Sequence, residues 1–332
     1  MEYSLTFSAS DLAQTRFAVS PMWEVVTSFR LLRDETGSPL HRDWAAQVRP
    51  RLVRAGLDRG WLAALIPGGG YLADFLNPTP AGPFPELSAE LEAIRRSTPQ
   101  QVRSDLDELA RKSRRPSPRL RLLHEDPGAV LVKVTEEIET YWEFALAPYW
   151  SRVRRLLEAD VFHRARQVAE HGAAHVLNEL HDSVSWDEGT LRMVRRQCAL
   201  HRDEAAAGLL LVPSAFAWPR VLTRSVAPEP PQLAYPARGI GTLWEPRATK
   251  ASDAVAAVLG RSRTLLLAEL DTPASTTQLA RSSGLSAAAV SQHLIALRNA
   301  GLVTGHRAGR SVLYARTAIA DALLTPVGAG TG

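Results

Sequence analysis

Residues 272–316, TPASTTQLARSSGLSAAAVSQHLIALRNAGLVTGHRAGRSVLYAR, hold five Arg, two His and no Asp or Glu. Eight side chains in this stretch have types suited to recognition chemistry: Thr277, Ser286, Ala288, Ser291, Gln292, His293, Arg307 and Arg310. The planar amide of Gln292 carries a donor and an acceptor, the pair that an adenine edge complements in a major groove. Ser291 can reach a base or a phosphate, and Ala288 can touch a thymine methyl. Thr277 and Ser286 stand where helices open, and a helix N-terminus favours a phosphate. Arg307 and Arg310 are charges for a phosphate backbone or a narrow minor groove. His293 lies beside an apolar stripe, where a phosphate contact and a half-buried histidine are comparable readings. An acid-free surface of this kind suits double-stranded DNA.

The elements that must position these residues follow from local rules. A first helix opens at Thr276 or Thr277, whose hydroxyls can cap it. Gly284 ends it, because glycine enters the left-handed cap without strain. Ser286 is the next N-cap, ahead of three helix-forming alanines. Val290, Leu294 and Leu297 fall at i, i+4 and i+7 and form one buried stripe. Ala288, Ser291, Gln292 and Asn299 take the other face, and Gly301 closes the helix. Leu302–Arg307 and Ser311–Arg316 read as strands, joined at Ala308, Gly309 and Arg310 in a tight hairpin. The order is short strand, helix, turn, helix, hairpin: a winged helix-turn-helix.

On these residues the segment resembles the DNA-binding domain of the ArsR/SmtB family. The matching pieces are Leu279-Ala280, the string LSAAAVSQHLIALRNAGLV and the wing HRAGRSVLY. Upstream, GRSRTLLLAEL is similar to the family's preceding helix, with Gly260-Arg261 where the family usually has Asp-Pro. The resemblance implies a cytoplasmic transcriptional regulator, a repressor, that dimerises through the helices flanking the motif. Here those are residues 252–259, with Val255, Val258 and Leu259, and residues 317–324, with Ile319, Leu323 and Leu324. The family's cysteine metal sensor sits on the first helix of the pair; the matching STTQLARSS has no thiol.

The chain has 332 residues, too many for a winged helix alone, and its net charge is +4. Residues 246–332 hold nine Lys plus Arg against four Asp plus Glu; the first 245 hold 30 against 31. The positive charge therefore belongs to the C-terminal end. One cysteine, Cys198, excludes an intramolecular disulfide and a multi-cysteine metal site. No run of 18 apolar residues spans a membrane, and the first residues do not read as a secretion signal, so a cytoplasmic protein is expected.

The fold expected is α+β and mainly helical. An N-terminal sensor or regulatory domain, residues 1–245, is helical over 8–182 and β-rich over 190–245. The winged helix-turn-helix follows at 252–324, and 325–332 is a disordered tail. In order, residues 3–7 read as a strand, and Ser10 caps a helix over Asp11–Ala18. Ser20-Pro21 starts another with a broad apolar face, and further helices are expected at His41–Arg54, Trp61–Ile66, Leu87–Arg96 and Gln101–Lys112. Residues 67–85 read as an ordered surface loop. The basic run RKSRRPSPRLR, residues 111–121, is a solvated loop or an arm for a nucleic-acid backbone. Residues 128–182 read as two long helices broken at Pro148, with Tyr141, Trp142, Phe144, Tyr149 and Trp150 crowding the break. They form a helix-packing core or wall a ligand pocket. His171, His175 and Glu179 share a face at helical spacing, a polar face or a metal site. The strings FAVSPMWEVV, GYLADFL, EADVFHRAR, LLLVPSAFAWPRV and YPARGIGTLWE resemble the N-terminal domain of unknown function attached to some ArsR-type regulators.

No GxSxG elbow, P-loop or dinucleotide fingerprint follows a strand, and no catalytic residue, metal site or cofactor is assigned. The reading is a sequence-specific DNA-binding regulator, homodimeric, with a small-molecule effector or partner sensed by the N-terminal domain. The alternative is an enzyme of unknown class in that domain with an appended regulatory winged helix. A third reading uses the winged helix for protein contacts alone.

Overall fold

The computed structural model describes residues 2–7, 9–34, 37–112, 118–187, 189–194, 201–202, 208–244, 249–270, 274–308 and 311–324. The chain divides into two compact units, Met1–Trp244 and Glu245–Gly332. The fold is α+β, with helices the larger part.

Unit 1 opens with β1 (Glu2–Thr6), α1 (Ala9–Ala13), β2 (Arg16–Phe17) and α2 (Pro21–Arg33). The helices α3 (Arg42–Arg54), α4 (Trp61–Leu65), α5 (Leu87–Arg95), α6 (Pro99–Lys112) and α7 (Pro118–Glu125) follow. Next come α8 (Pro127–Ala145), α9 (Trp150–His171) and α10 (Ala173–Asn178). The unit closes with β3 (Val184–Asp187), β4 (Thr190–Val194), β5 (His201–Arg202), β6 (Leu210–Ser214), β7 (Leu222–Arg224) and β8 (Gln232–Pro236).

Helix α2 is the centre of this unit. Ser20 caps it by accepting from the Trp23 N–H, and Pro21 takes the first position, where a missing N–H costs nothing. The sequence pattern predicts an apolar face; the helix is instead buried all round from Pro21 to Leu31. Several of its inward polar groups find remote partners. Glu24 accepts from the Ala215 N–H at 3.1 Å, Thr27 pairs with the Ser214 hydroxyl at 3.1 Å and Ser28 with the Tyr141 hydroxyl at 2.9 Å. Each large apolar side chain buried here, such as Met22, Val25 and Phe29, stabilises by about 1.5–3 kcal/mol.

Two sheets pair the ends of the unit. One has the order β3-β4-β1-β5, the other β2-β6-β8-β7 with β2, β6 and β8 parallel. The β-rich part is thus not confined to 190–245. β1 pairs with β4, β2 pairs with β6, and β3 begins before residue 190. The helix expected to reach Ala18 stops at Ala13, because the Arg16 N–H bonds to the Leu209 carbonyl at 3.0 Å and residues 16–17 join the sheet edge. β6 is buried at every position, and its first four residues, Leu210 to Pro213, form the apolar run that parallel strands require.

Three further expectations change. Residues 67–85 form a loop that lies only partly on the surface: Ala73, Phe75, Leu76 and Asn77 are buried around a 3-10 turn at Asp74–Leu76, while Gly69, Gly70, Ala81, Pro83 and Phe84 are exposed. The helical stretch after Pro127 breaks twice, at the Ala147–Tyr149 turn and again at Gly172, whose φ is +82°. His171 therefore ends α9 while His175 lies on α10, and Glu179 caps that helix. The two imidazole rings lie 4.9 Å apart, on two helices rather than one face. Among the described residues no group of three or more His, Cys, Asp or Glu is placed to hold a metal ion. The aromatic residues around Pro148 pack as helix core: Tyr141 is fully buried, and Trp142 lies 4.9 Å from Trp150. Of the basic run, residues 113–117 lie outside the described residues. Arg119, in α7, donates to the Arg59 carbonyl at 2.9 Å and lies over the Trp61 ring.

Unit 2 contains α11 (Thr249–Leu259), α12 (Arg261–Glu269), β9 (Ala274–Ser275), α13 (Thr276–Ser283), α14 (Ala287–Asn299), β10 (Val303–Ala308), β11 (Ser311–Arg316) and α15 (Ala318–Leu324). Its core joins Leu266, Leu267 and Leu270 to Leu279, Val290, Leu294, Leu297, Leu302 and Ala320. β9 and β10 flank β11 in an antiparallel sheet. The expected tail, 325–332, lies outside the described residues. Among the described residues no helix is long and apolar enough to cross a membrane.

Candidate nucleic-acid interface

Backbone capping fixes where each helix of the pair begins. Ser275, not Thr276 or Thr277, caps α13. Its hydroxyl accepts from the Gln278 N–H at 3.3 Å, while the Gln278 side chain accepts from the Ser275 N–H at 2.8 Å. This capping box satisfies two otherwise orphaned donors. The signal was present as Ser-Thr-Thr-Gln, and pairing of Ser275 with Leu313 of β11 sets the start one residue earlier. Thr277 is therefore an exposed residue of the first turn, not a cap.

Gly284 ends α13 with φ +74°, its N–H donating to the Ala280 carbonyl at 3.2 Å. Ser286 then caps α14, accepting from the Ala289 N–H at 3.2 Å. At the far end Gly301 takes φ +69° and its N–H reaches the Arg298 carbonyl at 3.0 Å. The Leu302 N–H reaches the Leu297 carbonyl at 2.9 Å, and Leu302 is buried. This is a Schellman ending with its hydrophobic closure.

Val290, Leu294 and Leu297 are buried, so the rotation of α14 is set. Ala288, Gln292 and Asn299 stand exposed on the opposite side. Ser291 and His293 flank the buried stripe, both half-buried. Sequence reasoning missed Ile295, which is 48% exposed on the same outward side as Gln292. Its spacing of three residues from Gln292 places it on that face. It also passed over Arg281 and Arg298, both exposed at the ends of their helices.

The wing is a hairpin in which Ala308 pairs with Ser311, so Ala308 belongs to the strand and two residues form the link. That link, Gly309 and Arg310, and the side chain of Arg307 lie outside the described residues. Arg316 holds the hairpin to the core of the unit, its Nη1 donating to the Leu267 carbonyl at 3.3 Å. The arrangement gives α14 an outward face without a carboxylate, flanked by α13 and a two-stranded wing, which can enter a groove that bears phosphates.

Unit 1 carries several carboxyls whose pKa is raised, the usual mark of a site that does chemistry. Burial pushes Glu24 up to about 8 and Glu90 up to about 7. Burial, with Asp105 nearby, pushes Asp74 up to about 7. Their geometry is that of internal ties. Glu90 accepts from the Ser20 hydroxyl at 2.6 Å and the Met22 N–H at 2.8 Å, at the start of α2. Asp105 accepts from the Phe75 N–H at 2.8 Å, and Tyr71 lies 3.0 Å from both Asp74 and Asp105. None of these carboxyls lines either of two cavities in unit 1, which hold Asp34 and Glu229 instead.

Comparison with known proteins agrees with the geometry. Residues 87–241 match a family of unknown function (DUF5937), and residues 264–304 match the family described as bacterial regulatory protein, arsR family. The chain is also similar to the HTH-type transcriptional regulator NmtR of Mycobacterium tuberculosis, 41% identical over 68 residues. That stretch is 20% of this chain and spans 57% of the length of NmtR. No solved structure matches the chain. Its C-terminal unit thus carries an ArsR-family helix-turn-helix, joined to an N-terminal region that matches a family without a known function.

Proposed function

We propose that the protein is a sequence-specific DNA-binding transcriptional regulator, a repressor acting as a homodimer, and not an enzyme. One observation carries the reading: α14 is capped at both ends and exposes an acid-free face in a segment that matches the arsR family. In this reading Gln292 and Ser291 meet base edges, and Ala288 and Ile295 meet thymine methyls. Thr277, Ser286, His293, Arg307 and Arg310 grip phosphates, with the wing arginines alongside the groove. Exposure of α14 argues against a winged helix used only for protein contacts. The internal ties made by the raised carboxyls argue against an enzyme in unit 1.

Unit 1 is the sensory part. A small-molecule effector bound there would bias two arrangements of the paired recognition helices, and DNA affinity would change by the ratio of its affinities for them. Selection of genomic fragments with the purified full-length protein, at two salt concentrations, tests the reading. A shared motif, bound more weakly as salt rises, is expected. Recovery of unrelated fragments at both salts would overturn it.

A further inference from the structure

Unit 1 holds a cavity of about 300 Å³ beside the C-terminal half of α2. It opens just past the carboxyl end of β6, where the chain turns through Phe216, Ala217 and Trp218. Ligands of parallel sheets collect outside the carboxyl ends of their strands. The volume is at the lower end of the roughly 300–1,000 Å³ of small-molecule sites, which suits a ligand built on a single ring.

The wall has two chemistries. Leu31, Phe216, Trp218 and Leu222 supply apolar and aromatic surface. Among the described residues, two guanidiniums, Arg30 and Arg220, stand against one carboxylate, Asp34. Arg30 is only 8% exposed, and its Nη2 donates to the Gly70 carbonyl at 2.7 Å, which fixes its direction. Arg220 pairs with Asp34 at 3.3 Å on the solvent side. The Ser38 hydroxyl on the same wall is buried and has no hydrogen-bond partner among the described residues.

We propose that this cavity binds a small aromatic carboxylate. The ring would lie against Phe216 and Trp218, and the carboxylate would accept from Arg30, Arg220 and the Ser38 hydroxyl. A guanidinium matches a planar carboxylate better than any other side chain does. The proposal rests on the reading of unit 1 as the sensory part, and it gives that reading a place. Phe216 is shared between the cavity wall and a ring cluster: it lies 4.7 Å from both His41 and Trp44, and 6.3 Å from Trp244. Trp244 is the last residue of unit 1, so a ligand on Phe216 presses on the rings that hold the end of the unit.

The test uses the DNA-free full-length protein and two fluorine-labelled probes, 4-fluorobenzoate and its uncharged isostere 4-fluorobenzamide, read by fluorine NMR line broadening. Saturable binding of the benzoate is expected, with the amide weaker by about tenfold or more, as loss of a charge-assisted contact implies. Arg220→Gln should weaken the benzoate by about tenfold, and Ser38→Phe, which fills the mouth, should abolish it. Both positions are partly exposed, and an unchanged melting temperature shows that each variant is folded. No saturable binding, equal binding of the amide, or binding indifferent to both variants would each overturn the proposal. A second arm measures DNA affinity with and without the benzoate. Binding that leaves DNA affinity unchanged keeps the site and sinks the effector reading, whereas absence of binding sinks the site alone.

Discussion

At the scale of single residues, direction decides more than type. Gln292 is a common residue made informative because the buried stripe on α14 turns its amide outward. Gln292→Ala is expected to relax specificity at one base position and to cost on the order of 1–3 kcal/mol in binding. Unchanged affinity and an unchanged selected motif would show that Gln292 faces no base. Arg310→Ala should weaken all sequences alike and lower the slope of log affinity against log salt by about one unit, since it removes one phosphate contact. A loss confined to one sequence class would point to groove reading by the wing instead. In unit 1 the informative residue is Glu24, whose carboxyl burial pushes from 4.5 up to about 8. Between those values the folded chain keeps a proton that the unfolded chain has released. The stability from this group is whole below pH 4.5 and is lost as pH rises through about 8. Glu24→Gln holds the neutral form at every pH, so its melting temperature should fall less than that of the parent across that window. Parallel curves would show that Glu24 does not set the slope.

At the scale of elements, caps and glycines carry most of what a sequence can tell. The capping box assigns α13 to Ser275, so Ser275→Ala should cost about 1 kcal/mol of stability. Thr277→Ala, at an exposed first-turn position, should stay within about 0.5 kcal/mol. Chemical denaturation of the two variants separates them, and the reverse order would return the cap to the threonine. Local signals of this kind made α14, its stripe and its two glycine-flanked ends legible in the sequence. They failed where partners are remote. Nothing near residue 16 announces that Arg16 and Phe17 will be captured by a strand about two hundred residues away, and a five-residue helix gives way to that pairing. Residues 67–85 misled in the opposite sense. Their Gly and Pro content reads as surface turn, yet Phe75 and Leu76 are buried and Asp105 of α6 ties down the Phe75 N–H. His171 and His175 failed for a third reason: spacing was counted through Gly172, which takes a φ that breaks the helix.

At the scale of the whole molecule the charge is segregated, with the excess of Lys and Arg confined to the residues after 245. The same unit leaves apolar side chains uncovered. Of the six candidates on its flanking helices, Leu259 and Leu324 pack against the unit's own core. Val258 is 84% exposed, Ile319 62% and Leu323 45%. Helices α11 and α15 that carry them pack on each other. Exposed apolar residues grouped on two adjacent short helices mark a surface that needs a partner. In the proposed regulator reading, a second copy would be that partner. One recognition helix reads too few base pairs for a genome, and two related by a two-fold axis read a pseudo-palindrome. The symmetric arrangement sets α15 and α11 against their counterparts and covers the exposed side chains by a self-complementary patch. A homodimer is therefore expected in the absence of DNA, with half-sites about one helical turn, roughly 34–36 Å, apart. Ile319→Asp combined with Leu323→Asp brings two charges from each copy into that patch and should give a folded monomer whose DNA affinity falls by several orders of magnitude. Light scattering gives the mass and footprinting the protected length. A parent protein that is monomeric and protects a single half-site would defeat the dimer and leave the winged helix as a lone reader.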